Sequence, residues 1–172
     1  MLWQYYGQKR PPFADASGPD QESVWDYPRP PRIVSENRPV RVRYEGTELV
    51  ASTRAIRVLE TASAPGVYVP PEDVIWDRLR ENSDRSFCEW KGEARYFDLL
   101  ARQGIVRCVA WGYPNPTPAF SQIAGYISFY PGRVECFIGD ERVSAQPGGF
   151  YGGWVTPRIT GPIKGAPGTD LW

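Results

Sequence analysis

The sequence predicts a mainly β domain with long extended arms, and three observations point there. Aromatic residues make up 14% of the 172 residues, with 7 Trp, 10 Tyr and 7 Phe. Proline (18) and glycine (17) are abundant while methionine occurs once. That mixture of sheet formers and turn formers suits antiparallel strands better than a helical bundle. Short alternating apolar and polar runs, each closed by a turn signal, recur from Val40 onward. A chain of this length makes one domain, large enough to fold without a metal or disulfide.

Residues 1–39 read as an extended N-terminal arm, because PPF, SGPD, DYPRPPR and NRP interrupt helix and central strand alike. Trp3, Tyr5, Tyr6, Phe13, Trp25 and Tyr27 are too many aromatics for a free tail. The arm is expected to lie on the domain or on a neighbouring subunit.

Residues 40–145 form the predicted β-rich core. Val40 to Tyr44 alternates apolar and basic, Glu45-Gly46 turns the chain, and Thr47 to Ser52 returns. Thr53 to Thr61 fits helix or strand, and its hairpin neighbours favour strand. Val67 to Val69 is a short strand stopped by Pro70-Pro71. Pro71 to Val74 suits the first turn of a short helix, with proline at its start. Residues 86–91 and 94–99 predict a hairpin around Lys91-Gly92. Ile105 to Trp111 is apolar almost throughout and is expected to be a buried strand. Pro118 to Ala124 predicts one or two helical turns. Tyr126 to Tyr130 and Val134 to Ile138 are expected to pair around Pro131-Gly132. Residues 146–172 read as a Gly/Pro-rich C-terminal arm. Phe150, Tyr151 and Trp154 would dock it on the core or on a partner subunit, as in a homodimer that exchanges arms.

Charge and residue types exclude several functions. Twenty basic and twenty acidic residues cancel, which speaks against nucleic acid or anionic membrane as the partner. Histidine is absent. That removes the Ser-His-Asp triad, the Cys-His dyad, His-ligated zinc or haem, and histidine acid/base chemistry. The 3 cysteines, Cys88, Cys108 and Cys136, form no C-x-x-C pair and read as buried free thiols. GGFYGGW (148–154) lacks the phosphate-loop pattern, and the scattered acids form no calcium loop. No cofactor or metal is expected. With no signal-like N-terminus and no long apolar run, the expected location is cytoplasmic.

Two constellations carry candidate chemistry. The first is Lys91 with Glu60. Lys91 stands beside a glycine at a predicted turn: it points into a cleft as a base, nucleophile or anion holder with a depressed pKa, or it is an exposed turn lysine. Glu60 ends an apolar run: it is an acid/base group, or it pairs structurally with Arg54 or Arg57. The second is Trp90, Trp111, Tyr113, Tyr126 and Tyr130. Trp111 and Tyr113 share one strand face and could wall a cage for a planar or cationic ligand, or they fill the core. Tyr96, Tyr113 and Glu60 would form a polar cluster behind them.

CEWKGEARYFD (88–98), AWGYPNPTPAFSQIAGYISFYPGRV (110–134), and STRAIRVLET (52–61) with VYVPPEDV (67–74) resemble the domain of unknown function 427 family. The pattern C-x-x-K-G-x-A-x-Y is met by Cys88, Lys91, Gly92, Ala94 and Tyr96. Trp111 with Tyr113, and Gly125 to Tyr130, accompany it. The resemblance implies a β-tent-like pair of antiparallel sheets, in a mostly single-domain bacterial and fungal family of unestablished activity. Some β-tent domains hold zinc on two cysteine pairs, which this chain lacks. Others cage small cyclic amides between tryptophans.

Three functions follow as expectations. The first is a small-molecule binder with an aromatic pocket formed by Trp90, Trp111, Tyr113 and Tyr126, where Lys91 and Glu60 fix the ligand's polar ends. The second is a histidine-independent enzyme using Glu60, Lys91 and Tyr96 on a small metabolite. The third is an assembly protein whose arms oligomerise.

Overall fold

The computed structural model describes residues 3–172, so the first two residues of the arm lie outside the described residues. The chain runs through β1 (Glu22–Ser23), β2 (Arg32–Ser35), β3 (Val40–Tyr44), β4 (Thr47–Ser52), β5 (Ile56–Leu59) and β6 (Gly66–Tyr68). Then come β7 (Leu79–Cys88), β8 (Gly92–Ala101), β9 (Gly104–Gly112), β10 (Ile127–Phe129) and β11 (Glu135–Ile138). Four two-residue strands finish the chain: β12 (Glu141–Arg142), β13 (Ser144–Ala145), β14 (Trp154–Val155) and β15 (Ile159–Thr160).

The fold is mainly β, built on two four-stranded antiparallel sheets. One has the order β10-β9-β8-β7 and the other β12-β11-β3-β4. A three-stranded sheet, β2-β5-β6, adjoins the first. Val69 and Ile127 exchange backbone hydrogen bonds of 2.9 and 3.1 Å, which stitch the chain after β6 onto β10. Val40, Val42, Leu49 and Val50 from β3 and β4 pack with Leu99, Val109 and Ala110 from β8 and β9, around Phe129 and Trp154. All of these are buried, and that removal of apolar surface from water is the main force holding the sheets together.

Several expectations change. The two predicted short helical segments are 3-10 turns, at Pro71–Asp73 and Pro118–Ile123, and two more that were not expected stand at Val24–Asp26 and Trp76–Arg78. After Pro71–Asp73 the backbone at Val74 is already extended, so no helix propagates. Within Thr53 to Thr61, only Ile56–Leu59 is strand. The strand containing Ile105 is buried only toward its far end: Ile105 is 51% exposed near a hairpin tip, while Val109, Ala110 and Trp111 are buried. Segments 126–130 and 134–138 do not pair with each other. β10 pairs with β9, and β11 pairs with β3 and β12. The turn through Pro131-Gly132 instead carries the chain from one sheet to the other, because Ile127 and Phe129 bury themselves beside β9 while Cys136 and Ile138 bury themselves beside β3.

Both arms bury aromatics against their own chain. β2, inside the segment expected to be an arm, pairs with β5 as a regular edge strand. β1 pairs in parallel with β15, which ties the two arms together. Trp25 is fully buried, and its indole N–H donates to the Pro162 carbonyl at 3.1 Å. Trp154 is likewise buried and donates to the Phe129 carbonyl at 2.9 Å.

Candidate functional site

A cavity of about 460 Å³ opens where β5, β6, β7, β8 and β9 present one face to the C-terminal arm. Its walls include Glu60, Tyr68, Cys88, Trp90, Lys91, Tyr96, Trp111, Tyr113 and Tyr130. The sheet register explains the convergence. Tyr96 stands opposite Trp111, Trp111 opposite Ser128, and Ile56 opposite Tyr68. Period two then places Tyr113 on the same face as Trp111. The rings of Tyr68 and Trp111 meet edge-on at 6.1 Å, and Tyr130 tilts against Trp111 at 4.5 Å.

The hairpin tip between β7 and β8 supplies Trp90 and Lys91. Gly92 closes the three-residue turn at φ 103°, a conformation that side chains other than glycine rarely adopt. The loop before Pro118 clamps this tip. The Thr117 hydroxyl donates to the Trp90 carbonyl at 2.6 Å, and the Thr117 N–H donates to the Lys91 carbonyl at 3.1 Å.

The fourth wall comes from the C-terminal arm. Gly152 lies so close to the Trp111 ring that a Cβ there would overlap it. The backbone N–H of Trp154 donates to the Pro65 carbonyl at 2.8 Å, which fixes the strap. Tyr151, Gln146 and Lys164 complete this wall. Gln146 donates to the Lys164 carbonyl at 2.9 Å, and the Lys164 N–H donates to the Ala62 carbonyl at 2.8 Å. At the mouth, Phe87 and Phe150 are 78% and 73% exposed, two aromatic rings left facing water.

The polar groups of the cavity are poorly matched to one another. Tyr96 shares a 2.6 Å hydrogen bond with Ser86. The buried Trp90 indole N–H has no partner among the described residues, whereas Tyr68 faces the Tyr113 hydroxyl and the Trp111 indole, and the Lys91 ammonium faces the Cys88 thiol. Burial pushes the hydroxyls of Tyr68, Tyr113 and Tyr130 above the usual tyrosine range, so they stay protonated donors. The Lys91 ammonium moves the other way from the expected depression. Burial pulls it down, but the electrostatic pull of its neighbours, the Glu60 carboxylate among them, raises it above the ordinary lysine value. It stands 5.7 Å over the Tyr113 ring.

Of the predicted site residues, Glu60, Trp90, Lys91, Tyr96, Trp111 and Tyr113 line this one cavity. Tyr126 does not. It packs at the edge of the cluster and lines a separate crevice of about 60 Å³ with Trp76, Phe97 and Gly112. Glu60 pairs with Arg29 of the N-terminal arm at 3.5 Å. Arg54 pairs with Asp73 and Arg57 with Glu22, so neither expected partner serves Glu60. The predicted Tyr96–Tyr113–Glu60 cluster gives way to these separate pairings. Sequence reasoning missed Tyr68 and Lys164. The usable signals were the scarcity of lysine and a glycine-rich arm able to pass close to a ring.

The model of the family described as Domain of unknown function (DUF427) matches residues 32–140. The chain belongs to the DUF427 family. No curated protein matches the chain. The matched segment of this DUF427 protein runs from β2 to the turn after β11. It therefore supplies the sheet face and hairpin tip of the cavity, while Lys164, Tyr151 and Gly152 come from beyond it. No helix among the described residues is long and apolar enough to cross a membrane.

Proposed function

We infer that this DUF427 protein is a small-molecule binding module, and that its ligand is a planar, polar compound held in the aromatic cavity. One observation carries the reading: a pocket of about 460 Å³ lined by buried aromatic rings, with the buried Trp90 indole N–H left without a protein partner. Ligand pockets typically occupy roughly 300–1,000 Å³, with a few polar groups among apolar walls. Buried polar groups normally find a partner, and here a ligand would be that partner.

Binding is favoured over catalysis by the protonation of the same groups. Lys91 is a cation, the phenols stay protonated, and Glu60 is held by Arg29. The cavity therefore offers donors and no unengaged base. The three cysteines are free thiols, which supports a cytoplasmic setting, but only Cys136 is buried as expected, with Cys88 and Cys108 half-buried.

The test is a thermal-shift screen with planar polar metabolites, run on wild type, Trp111→Ala and Lys91→Met. A ligand at about 100 times its Kd adds roughly 2.7 kcal/mol, a midpoint rise of about 5–10 °C for a chain of this size. The expected result is a hit weakened by both substitutions. A panel without hits, or hits indifferent to both substitutions, would contradict the reading. If removal of residues 147–172 dissociated an oligomer, the assembly reading would take its place.

A further inference from the structure

The donor groups on the aromatic face of the cavity are of one chemical kind. An indole N–H and an ammonium can only donate, and a phenol kept protonated by burial donates readily. Trp90, whose indole N–H has no partner, and Lys91, Tyr68 and Tyr113 are all of this kind.

The charges point the same way. The chain has three lysines, and two of them, Lys91 and Lys164, line the cavity from opposite walls. Lys91 comes from the hairpin tip and Lys164 from the C-terminal arm. Among the described residues neither ammonium has a carboxylate within ion-pair distance, whereas Arg29, Arg54 and Arg57 are each paired. Each lysine stands over a ring instead, Lys91 over Tyr113 at 5.7 Å and Lys164 over Tyr151 at 4.9 Å. Of the two carboxylates on the wall, Glu60 is neutralised by Arg29 and Glu89 is exposed. The cavity thus holds two lysines among aromatic rings, neither in an ion pair among the described residues.

We propose that the ligand is a planar aromatic acid, with its ring against Tyr68, Trp111 and Tyr130 and its carboxylate or phosphate shared between Lys91 and Lys164. The proposal rests on the cavity being a binding site and names what that site selects. A neutral isostere of the same acid keeps the stacking surface but leaves both ammoniums unanswered.

The experiment measures Kd by tryptophan quenching for three probes: 2-naphthoate, 2-naphthyl phosphate and 2-naphthamide. At least one acid is expected to bind about tenfold tighter than the amide, as a charge-assisted hydrogen bond requires. Lys91→Met and Lys164→Met should each weaken the acid about tenfold and leave the amide within about twofold. Lys164→Gln replaces the second variant if that one does not fold. Since Lys91 titrates above the ordinary lysine value, 2-naphthoate binding should stay flat from pH 6 to pH 9. An amide that binds as tightly as either acid would overturn the proposal and leave the pocket standing. Acid affinities unmoved in both lysine variants would also overturn it. If no probe saturates, the proposal and the binding reading fall together. A preference for phosphate over carboxylate, or the reverse, supports the proposal and identifies the acidic group.

Discussion

Trp25 and Trp111 each sit at the centre of an aromatic cluster, and the two clusters are finished differently. Around Trp25, the rings of Trp3, Tyr5, Phe13 and Trp172 lie at centroid distances of 5.1–6.1 Å. Trp25 is fully buried, and its N–H is answered by the Pro162 carbonyl. Around Trp111, the rings of Tyr68 and Tyr130 lie at 6.1 and 4.5 Å, so contact is as close. Yet this cluster borders an open cavity, and the Trp90 indole N–H in its wall goes unanswered. Aromatic content does not separate a core from a site. What separates them is whether the chain supplies every partner the rings and their polar tips need.

The contrast can be broken at several points. Trp25→Ala is expected to cost the most, about 3–5 kcal/mol of folding stability, because the whole terminal cluster collapses onto a void. The same change at Trp111 should cost less, since one side of its ring already faces the cavity. Denaturant unfolding of both variants measures the difference, and equal losses would show the two clusters to be the same kind of core. Gly152→Ala should cost about 1–3 kcal/mol, because the new methyl overlaps the Trp111 ring. Fluorescence would report the displaced indole. Tyr113→Phe is expected to cost the least, at most about 1 kcal/mol, because the buried hydroxyl it removes faces only the Tyr68 hydroxyl. A larger loss would show that this hydroxyl is held by more than Tyr68.

Part of this was legible in the sequence. Lys91-Gly92 marked the hairpin tip because a three-residue turn needs a glycine at positive φ. Trp111 and Tyr113 declared a common face because strands alternate. The mainly β class followed from aromatics, prolines and glycines. What stayed hidden depends on contacts distant in sequence. Adjacent strands usually pair, so β10 and β11 looked like a hairpin; only β9 and β3, strands placed earlier in the chain, show that they belong to different sheets. Glu60 sits near Arg54 and Arg57 in sequence, but Arg29 reaches it from the other arm. Tyr126 precedes β10 and follows Gly125 at φ 75°, so alternation counted along the strand does not reach it. Lys164 lies in a tail without periodicity, and its backbone pairing with Ala62 is what brings it to the cavity.

The most direct test of the account is to follow the tryptophan indole N–H resonances by two-dimensional ¹⁵N NMR while titrating 2-naphthoate. The account predicts that the signals of Trp90 and Trp111, in the cavity wall, shift and saturate together. Those of Trp25 and Trp154, buried and hydrogen-bonded to the Pro162 and Phe129 carbonyls, should stay in place. Equal movement of all four, or movement of Trp25 with Trp111 unmoved, would contradict it.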